Sequence, residues 1–417
     1  MVAFEREREA PLAGSRPAET DRSDYTLFTG IVEGFYGRPY SHSQRDVLLG
    51  HLARIPSPAY LYAPKNDRFH RLEWRLPYPA EEWERLAATI ARASDKGVGF
   101  LFGVSPRGFR KGEEHLLARK ASRALDAGAA GIAVLFDDIP DSATAELASA
   151  QVRFARDALS GIECRVLVCP SVYCLELLDR YGGGSYLEEW RASCPADWQV
   201  LWTGDGVVSR EIDGRSAARA AELLGRRPVI WDNLLADDYC LRRTYLGSLR
   251  GRTASGCSYL LNPSRIFPVA LHGAMELAAA SGAPREWPPE LGPHVPGWEL
   301  LAEFHWLPWG TGETGAELLG RVSDGFRGTG EEEVLQWLSG STESLSELCA
   351  SLESVEGGFD LLPLVLDLQR FLSILARSIR ESESGSRGAI LRRLLLERLP
   401  YEHPLAATVL GLLDGEA

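Results

Sequence analysis

From about residue 27 to residue 275 the chain repeats one unit: a short apolar run, a polar turn, then a stretch with helical period. The apolar runs, rich in β-branched and aromatic residues, fall at 27–32, 59–62, 98–104, 131–136, 165–169, 199–202, 228–231 and 257–261. Most are apolar on both sides of the alternation, as parallel strands covered on both faces require. Helical spacing at 80–96, 113–127, 142–159 and 216–224 lies between them. Eight such units in about 250 residues have the size and rhythm of an α/β fold, a (β/α)8 barrel of the TIM type. A doubly wound open sheet is the alternative. It is disfavoured because no glycine-rich fingerprint follows the first strand.

The spacing assigns the barrel to residues 26–283. Residues 1–25 are charged and lack an apolar core, so they read as a flexible leader rather than a signal peptide. Residues 284–296 are rich in proline and read as a linker. Residues 297–417 show helical spacing without strand signals, at 298–304, 316–325, 331–338, 344–352, 361–380 and 389–399, with a polar break at 382–386. A C-terminal helical domain is expected there, serving as buttress, cleft wall or dimer surface. The 417 residues are enough for both parts.

The net charge of −13 argues against nucleic acid or an anionic membrane as the main partner. No apolar run reaches membrane-spanning length. The seven cysteines include no CxxC pair, and the eight histidines form no ligand-spaced cluster. Neither a disulfide scaffold nor a zinc site is expected, and no cofactor. Reduced thiols in a cytoplasmic protein are the plainer reading.

In a barrel of this kind chemistry gathers where the strands end, because the loops converge there on one mouth. The fourth run ends in Asp137-Asp138. Adjacent carboxylates at the end of a buried strand repel each other and resist desolvation. A general acid needs a raised pKa, and a close carboxylate in a partly dry cleft is one way to raise it. The plain alternative is a helix cap, by Asp138 or Asp141, for a helix beginning near Pro140. The other runs lead into Lys65, Arg107, Tyr173, Trp202, Trp231 with Asn233, and Asn262. Each has a bland reading: a solvated lysine, core tryptophans, turn-forming asparagines, and Asp238 as a loop charge beside Asp237. Together, carboxylates and amides suit hydroxyl groups, and aromatic faces suit the C–H face of a sugar ring. A glycoside is the natural guest. Phosphate would call for more arginines or a glycine nest, and a divalent metal for carboxylates or histidines from several strands.

The motifs Gly30-Ile-Val-Glu-Gly-Phe-Tyr-Gly-Arg-Pro39, Tyr62-Ala-Pro-Lys65, Leu135-Phe-Asp-Asp138, Cys169-Pro-Ser-Val-Tyr-Cys174, Leu201-Trp-Thr-Gly204, Val229-Ile-Trp-Asp-Asn233 and Leu261-Asn-Pro263 appear in this order. They resemble the catalytic domain of glycoside hydrolase family 84, the β-N-acetylglucosaminidases that include the protein O-GlcNAcases. The resemblance covers roughly residues 28–275. It implies removal of terminal β-linked N-acetylglucosamine by a retaining, substrate-assisted mechanism through an oxazoline. A retaining enzyme with its own nucleophile sets two carboxyls about 5 Å apart across the scissile bond, which neighbours on one strand do poorly. If the sugar's 2-acetamido oxygen attacks instead, both carboxylates are released for other roles.

Carried over position by position, the resemblance implies that Asp137 orients the acetamido group and that Asp138 is the general acid and then the base. It implies that Tyr173 bonds the acetamido oxygen, and that Cys169 and Trp231 wall its pocket. Lys65, Asn233, Asp238, Asn262 and the backbone carbonyl of Gly30 would hold the hydroxyls and the acetamide. The implied partner is a glycoside or glycoprotein bearing N-acetylglucosamine; a homodimer is left open. Three other readings stand beside it. One is a carbohydrate-binding protein without turnover, and another is an endo-acting, hyaluronidase-like enzyme. The third is a metal-dependent hydrolase using Asp137, Asp138 and Asp232.

Overall fold

A computed structural model describes residues 27–138, 143–240, 242–326 and 328–380. The expected leader, the turn at Ile139-Pro140 with Asp141, the polar break at 382–386 and the helix at 389–399 lie outside the described residues. Eight strands form the centre: β1 Thr29–Glu33, β2 Pro58–Tyr62, β3 Gly99–Val104, β4 Gly131–Leu135, β5 Arg165–Cys169, β6 Gln199–Trp202, β7 Val229–Asp232 and β8 Ser258–Leu261. They close in sequence order, all parallel, with β1 pairing to β8. The expected (β/α)8 barrel is therefore the architecture found, with each strand within two residues of the run read from sequence. Strand β4 is buried at every position, the mark of a strand wrapped on both faces.

The surrounding helices are α1 His42–Leu52, α2 Ala80–Asp95, α3 Glu114–Asp126, α4 Ala145–Ala158, α5 Leu175–Tyr181, α6 Gly184–Ser193, α7 Gly214–Leu224 and α8 Phe267–Ala280. Among the described residues, the stretch between β7 and β8 carries a 3-10 turn at Arg252–Ser255 and no α-helix. Capping explains several starts. Ser41 and Gln44 form a reciprocal capping box on α1, and Asp213 does the same with Ser216 on α7. Helix α8 is buried almost throughout because helices pack on both sides of it: α1 beside it, and the C-terminal helices behind.

Beyond the barrel lie α9 Pro296–Phe304, α10 Glu313–Phe326, α11 Glu331–Leu352 and α12 Gly358–Arg380. Two stretches read separately from sequence, 331–338 and 344–352, are one helix. Val334, Leu338, Ser341, Leu345, Leu348 and Leu352 keep a single buried stripe through the polar stretch around Gly340. Burying that stripe against α12 outweighs the roughly 1 kcal/mol that an interior glycine costs. Within residues 284–296, Trp287 and Leu291 pack inward. Trp287 sets its ring edge-on to Trp298 (5.4 Å) and His294 (4.4 Å), and Leu291 is buried. On α8, His272 accepts from the Trp298 indole at Nδ1 (3.1 Å) and meets the carbonyl of Leu246 at Nε2 (3.1 Å). Burial lowers its pKa to about 4, so the ring is neutral and seals barrel to helices.

Two buried ion pairs stiffen the barrel near its mouth. Glu33, at the end of β1, receives both Arg45 nitrogens (2.8 and 2.9 Å) and the Tyr60 hydroxyl (2.6 Å). Asp232, at the end of β7, receives Arg252 (2.6 and 2.9 Å) and the Tyr259 hydroxyl. Gly30 sits within β1 opposite Ala59, where a Cβ would stand 1.7 Å from the Ala59 carbonyl oxygen. Backbone cannot yield there without breaking the ladder. Gly30→Ala should therefore destabilise the fold by about 3 kcal/mol or more, read as a lowered midpoint in thermal or urea unfolding.

Candidate active site

The carboxylate pair leaves β4 on a tightly held peptide. Phe136 continues the ladder by donating its N–H to Cys169 (2.9 Å), and its carbonyl accepts from the Ser171 hydroxyl (2.8 Å). Its ring is fully buried between Phe109 and Trp190. Asp138 then takes a left-handed backbone conformation, φ +54°. That region is unfavourable for most side chains but tolerated by aspartate, and it appears where surroundings over-determine the chain. The turn sends the two carboxyls to different partners.

Asp137 is 7% exposed, and its Oδ2 is ion-paired with the Lys65 ammonium. Its Oδ1 is buried with no hydrogen-bond partner. Asp138 accepts from the Tyr36 hydroxyl at Oδ2 (2.7 Å) and from the Tyr173 hydroxyl at Oδ1 (3.1 Å). Lys65 stands 3.8 Å from Asp138 Oδ2 and 5.4 Å from the centre of the Trp231 ring. Burial would depress the lysine's pKa, but Asp137 and Asp138 outweigh it and hold it raised. Burial alone would lift Asp138. Lys65, the two phenol hydrogen bonds and Arg71 prevail, and the carboxyl lies below its ordinary value. The adjacent carboxylate alone points to a raised value; Lys65, between the two, neutralises it and reverses the shift.

The pair opens into a cavity of about 360 Å³ at the C-terminal end of the barrel, the small end of the range for ligand pockets. Nine of the ten expected residues line it: Lys65, Asp137, Asp138, Cys169, Tyr173, Trp231, Asn233, Asp238 and Asn262. Gly30 does not. It lies inside β1, and the first residue past that strand, Gly34, lines the cavity instead. A Cβ on Gly34 would stand 2.2 Å from the Trp231 ring, so glycine is what lets the indole close that wall. The amides are cross-linked: Asn262 accepts from Gly34 N–H (3.1 Å) and donates to Asn233 (2.9 Å), which also accepts from the Trp231 indole (2.8 Å). Asp238 accepts from the Tyr36 N–H (2.6 Å).

Sequence reasoning passed over Tyr36, Thr203, Val207, Val208, Ala236 and Tyr239. Tyr36 lay inside a motif already noted, two residues after the cavity glycine. Asp232 is no partner of the pair, since Arg252 and Tyr259 occupy its oxygens. Asp237 is likewise buried on Ser264 and Thr244. Among the described residues no three of His, Cys, Asp or Glu group as metal ligands.

The β-N-acetylglucosaminidase family model matches residues 29–281, more than half of the chain. The chain belongs to the β-N-acetylglucosaminidase family. Among its relatives are the protein O-GlcNAcases of Mus musculus and Rattus norvegicus, each 36% identical over 238 residues. That alignment takes in 54% of this chain, which spans only 26% of the length of either relative. A Thermobaculum terrenum O-GlcNAc hydrolase variant shares the fold, with a TM-score of 0.74 at 21% identity over 93% of both chains. The β-N-acetylglucosaminidase match spans the barrel and its mouth, whereas the structural likeness extends over the helical part as well.

Because its folded pKa is depressed, Asp138 contributes stability above the ordinary carboxylate range, and that contribution fades as pH falls toward its lower folded value. Asp138→Asn removes the titration. The melting-temperature advantage of the native protein over this variant should shrink from about pH 5 to pH 3. A constant difference across that window would refute the shift.

Proposed function

We propose that this chain is a retaining β-N-acetylglucosaminidase acting on terminal β-linked N-acetylglucosamine with assistance from the substrate's own acetamide. The observation that carries this reading is that Asp137 lines the cavity while its buried Oδ1 has no hydrogen-bond partner. A buried carboxylate oxygen without a donor is costly, and an amide N–H entering the cavity satisfies it. Lys65 holds the other oxygen, so Oδ1 is the one left for the ligand.

The 2-acetamido N–H then donates to Asp137, which aims and polarises the group. Its carbonyl oxygen bonds to the anomeric carbon as the bond to the leaving oxygen breaks. Asp138 supplies the proton that the leaving oxygen needs. The cationic oxazolinium ion that results lies against the Asp137 charge. Water next attacks the anomeric carbon, gives its proton to Asp138, and the ring opens back to the acetamide. Two inversions leave the configuration retained, and the acid is restored.

The depressed pKa of Asp138 depends in part on the hydrogen bond it receives from Tyr173. When Tyr173 donates to the acetamido oxygen instead, Asp138 loses a hydrogen bond to its charged form, while the sugar excludes water from it. Both changes raise its pKa and let it carry a proton. Trp231 and the amides of Asn233 and Asn262 supply a face and donors for the ring, and Asp238 an acceptor. The small cavity favours removal of a single terminal sugar, and the O-GlcNAcase relatives favour a glycosylated protein as its carrier.

Asp138→Asn should lower turnover of an N-acetylglucosaminide with a poor leaving group by about 10²–10⁴-fold, and that of an activated aryl glycoside much less. Steady-state kinetics on both substrates, with the plain glucoside as a third, make the test. Unchanged turnover in the variant, or comparable rates on the glucoside, would overturn the proposal.

A further inference from the structure

Arg71 is a buried cation with 7% exposure on the connection between β2 and α2, and it pairs with no carboxylate within ion-pair distance among the described residues. Its Nη1 donates to the Tyr36 hydroxyl oxygen (2.7 Å), and its guanidinium carbon lies 5.2 Å from the centre of the same ring. A guanidinium can only donate. The phenol oxygen therefore gives a lone pair to Arg71, and its single proton is directed to Oδ2 of Asp138 (2.7 Å). A donor polarised in this way is also a stronger one. The Tyr36 backbone is fixed as well, its N–H held by Asp238.

The two oxygens of Asp138 are thus held differently. Oδ2 has Tyr36, anchored from behind by Arg71, whereas among the described residues Oδ1 has Tyr173 alone, at 3.1 Å. Among the described residues no cation donates to the Tyr173 hydroxyl in the way Arg71 donates to Tyr36, and the ligand's acetamide offers it another acceptor. Tyr36 has no such freedom.

We infer that Arg71 is a positioning residue: by locking Tyr36 onto Oδ2 of Asp138, it reserves Oδ1 as the oxygen that carries the proton to the leaving group. This rests on the reading of Asp138 as the acid and base. The groups facing Asp138 are Tyr36 from the end of β1, Lys65 and Arg71 from beyond β2, its neighbour Asp137, and Tyr173 from beyond β5. Of these, Arg71 makes no hydrogen bond to the carboxylate and is not itself among the residues lining the cavity; it reaches Asp138 through its hydrogen bond to the cavity-lining Tyr36 and through its charge.

The test is the pH profile of kcat/KM on an N-acetylglucosaminide with a poor leaving group. Arg71→Met and Tyr36→Phe each remove a contribution that favours the ionised carboxylate. Each should move the basic limb, where the acid loses its proton, up by about one pH unit. The double variant should move it by less than the sum of the two, and Arg71→Lys, which keeps the charge and a donor, should return it toward the native position. An activity reduced evenly at all pH values with the limb in place would mean a structural role and would overturn the inference. Should melting show that Arg71→Met does not fold, an unmoved limb in Tyr36→Phe overturns it alone. Full turnover by Asp138→Asn would instead remove the acid–base reading, so the two failures are distinct.

Discussion

Lys65 reaches over the end of β4 with its ammonium against one oxygen of Asp137 and 3.8 Å from an oxygen of Asp138. Two neighbouring carboxylates in a mostly buried cavity would otherwise repel each other, and the cheapest relief would be for one to take up a proton. The lysine removes that pressure. It also biases which oxygen meets a ligand, because the one it holds has already given a lone pair to the ammonium. Burying such a cation is itself expensive and is tolerable only because it is paired. Neither half of the arrangement could be kept without the other.

The barrel supplies what this constellation needs from the backbone. Tyr36, Lys65, Asp138, Tyr173, Asn233 and Asn262 follow six different strands, and only closure with β1 against β8 brings them round one mouth. The ion pairs Glu33–Arg45 and Asp232–Arg252 stand at the ends of β1 and β7 and hold the strand ends from which those loops leave. The helical part contributes from outside. The loop between β7 and β8 carries Asp238 and Tyr239 and is tied to it at three places. Leu246 N–H donates to the His305 carbonyl (2.8 Å), Arg243 to that of Leu307 (3.1 Å), and Arg242 pairs with Asp367 (2.7 Å). Of the roles open from sequence, buttress of a cavity-lining loop is the one these contacts describe.

Much of this was readable in advance. Apolar runs covered on both faces mark parallel strands because burial on both sides leaves no polar alternation, and β5 and β6 were read to the residue. That polar residues at the strand ends line one cavity was readable for a related reason: polar side chains just beyond a buried strand stand out against it. What misled was local reasoning about long-range partners. The absence of a side chain at Gly30 answers to the Ala59 carbonyl on the next strand, a neighbour that spacing along the chain does not name. The stretches at 331–338 and 344–352 join into one helix because the buried stripe running through both packs against a facing helix.

By itself the sequence determined the strand count, the barrel and the strand-end residues, because periodicity and burial are local properties written in residue type. Tertiary structure alone decided the direction of the Asp138 pKa, the empty oxygen of Asp137, and the line from Arg71 through Tyr36 to Asp138. Each depends on side chains from different strands meeting within about 3 Å. Electrostatic and hydrogen-bond energies change sharply over that distance, and spacing along the chain carries no measure of it.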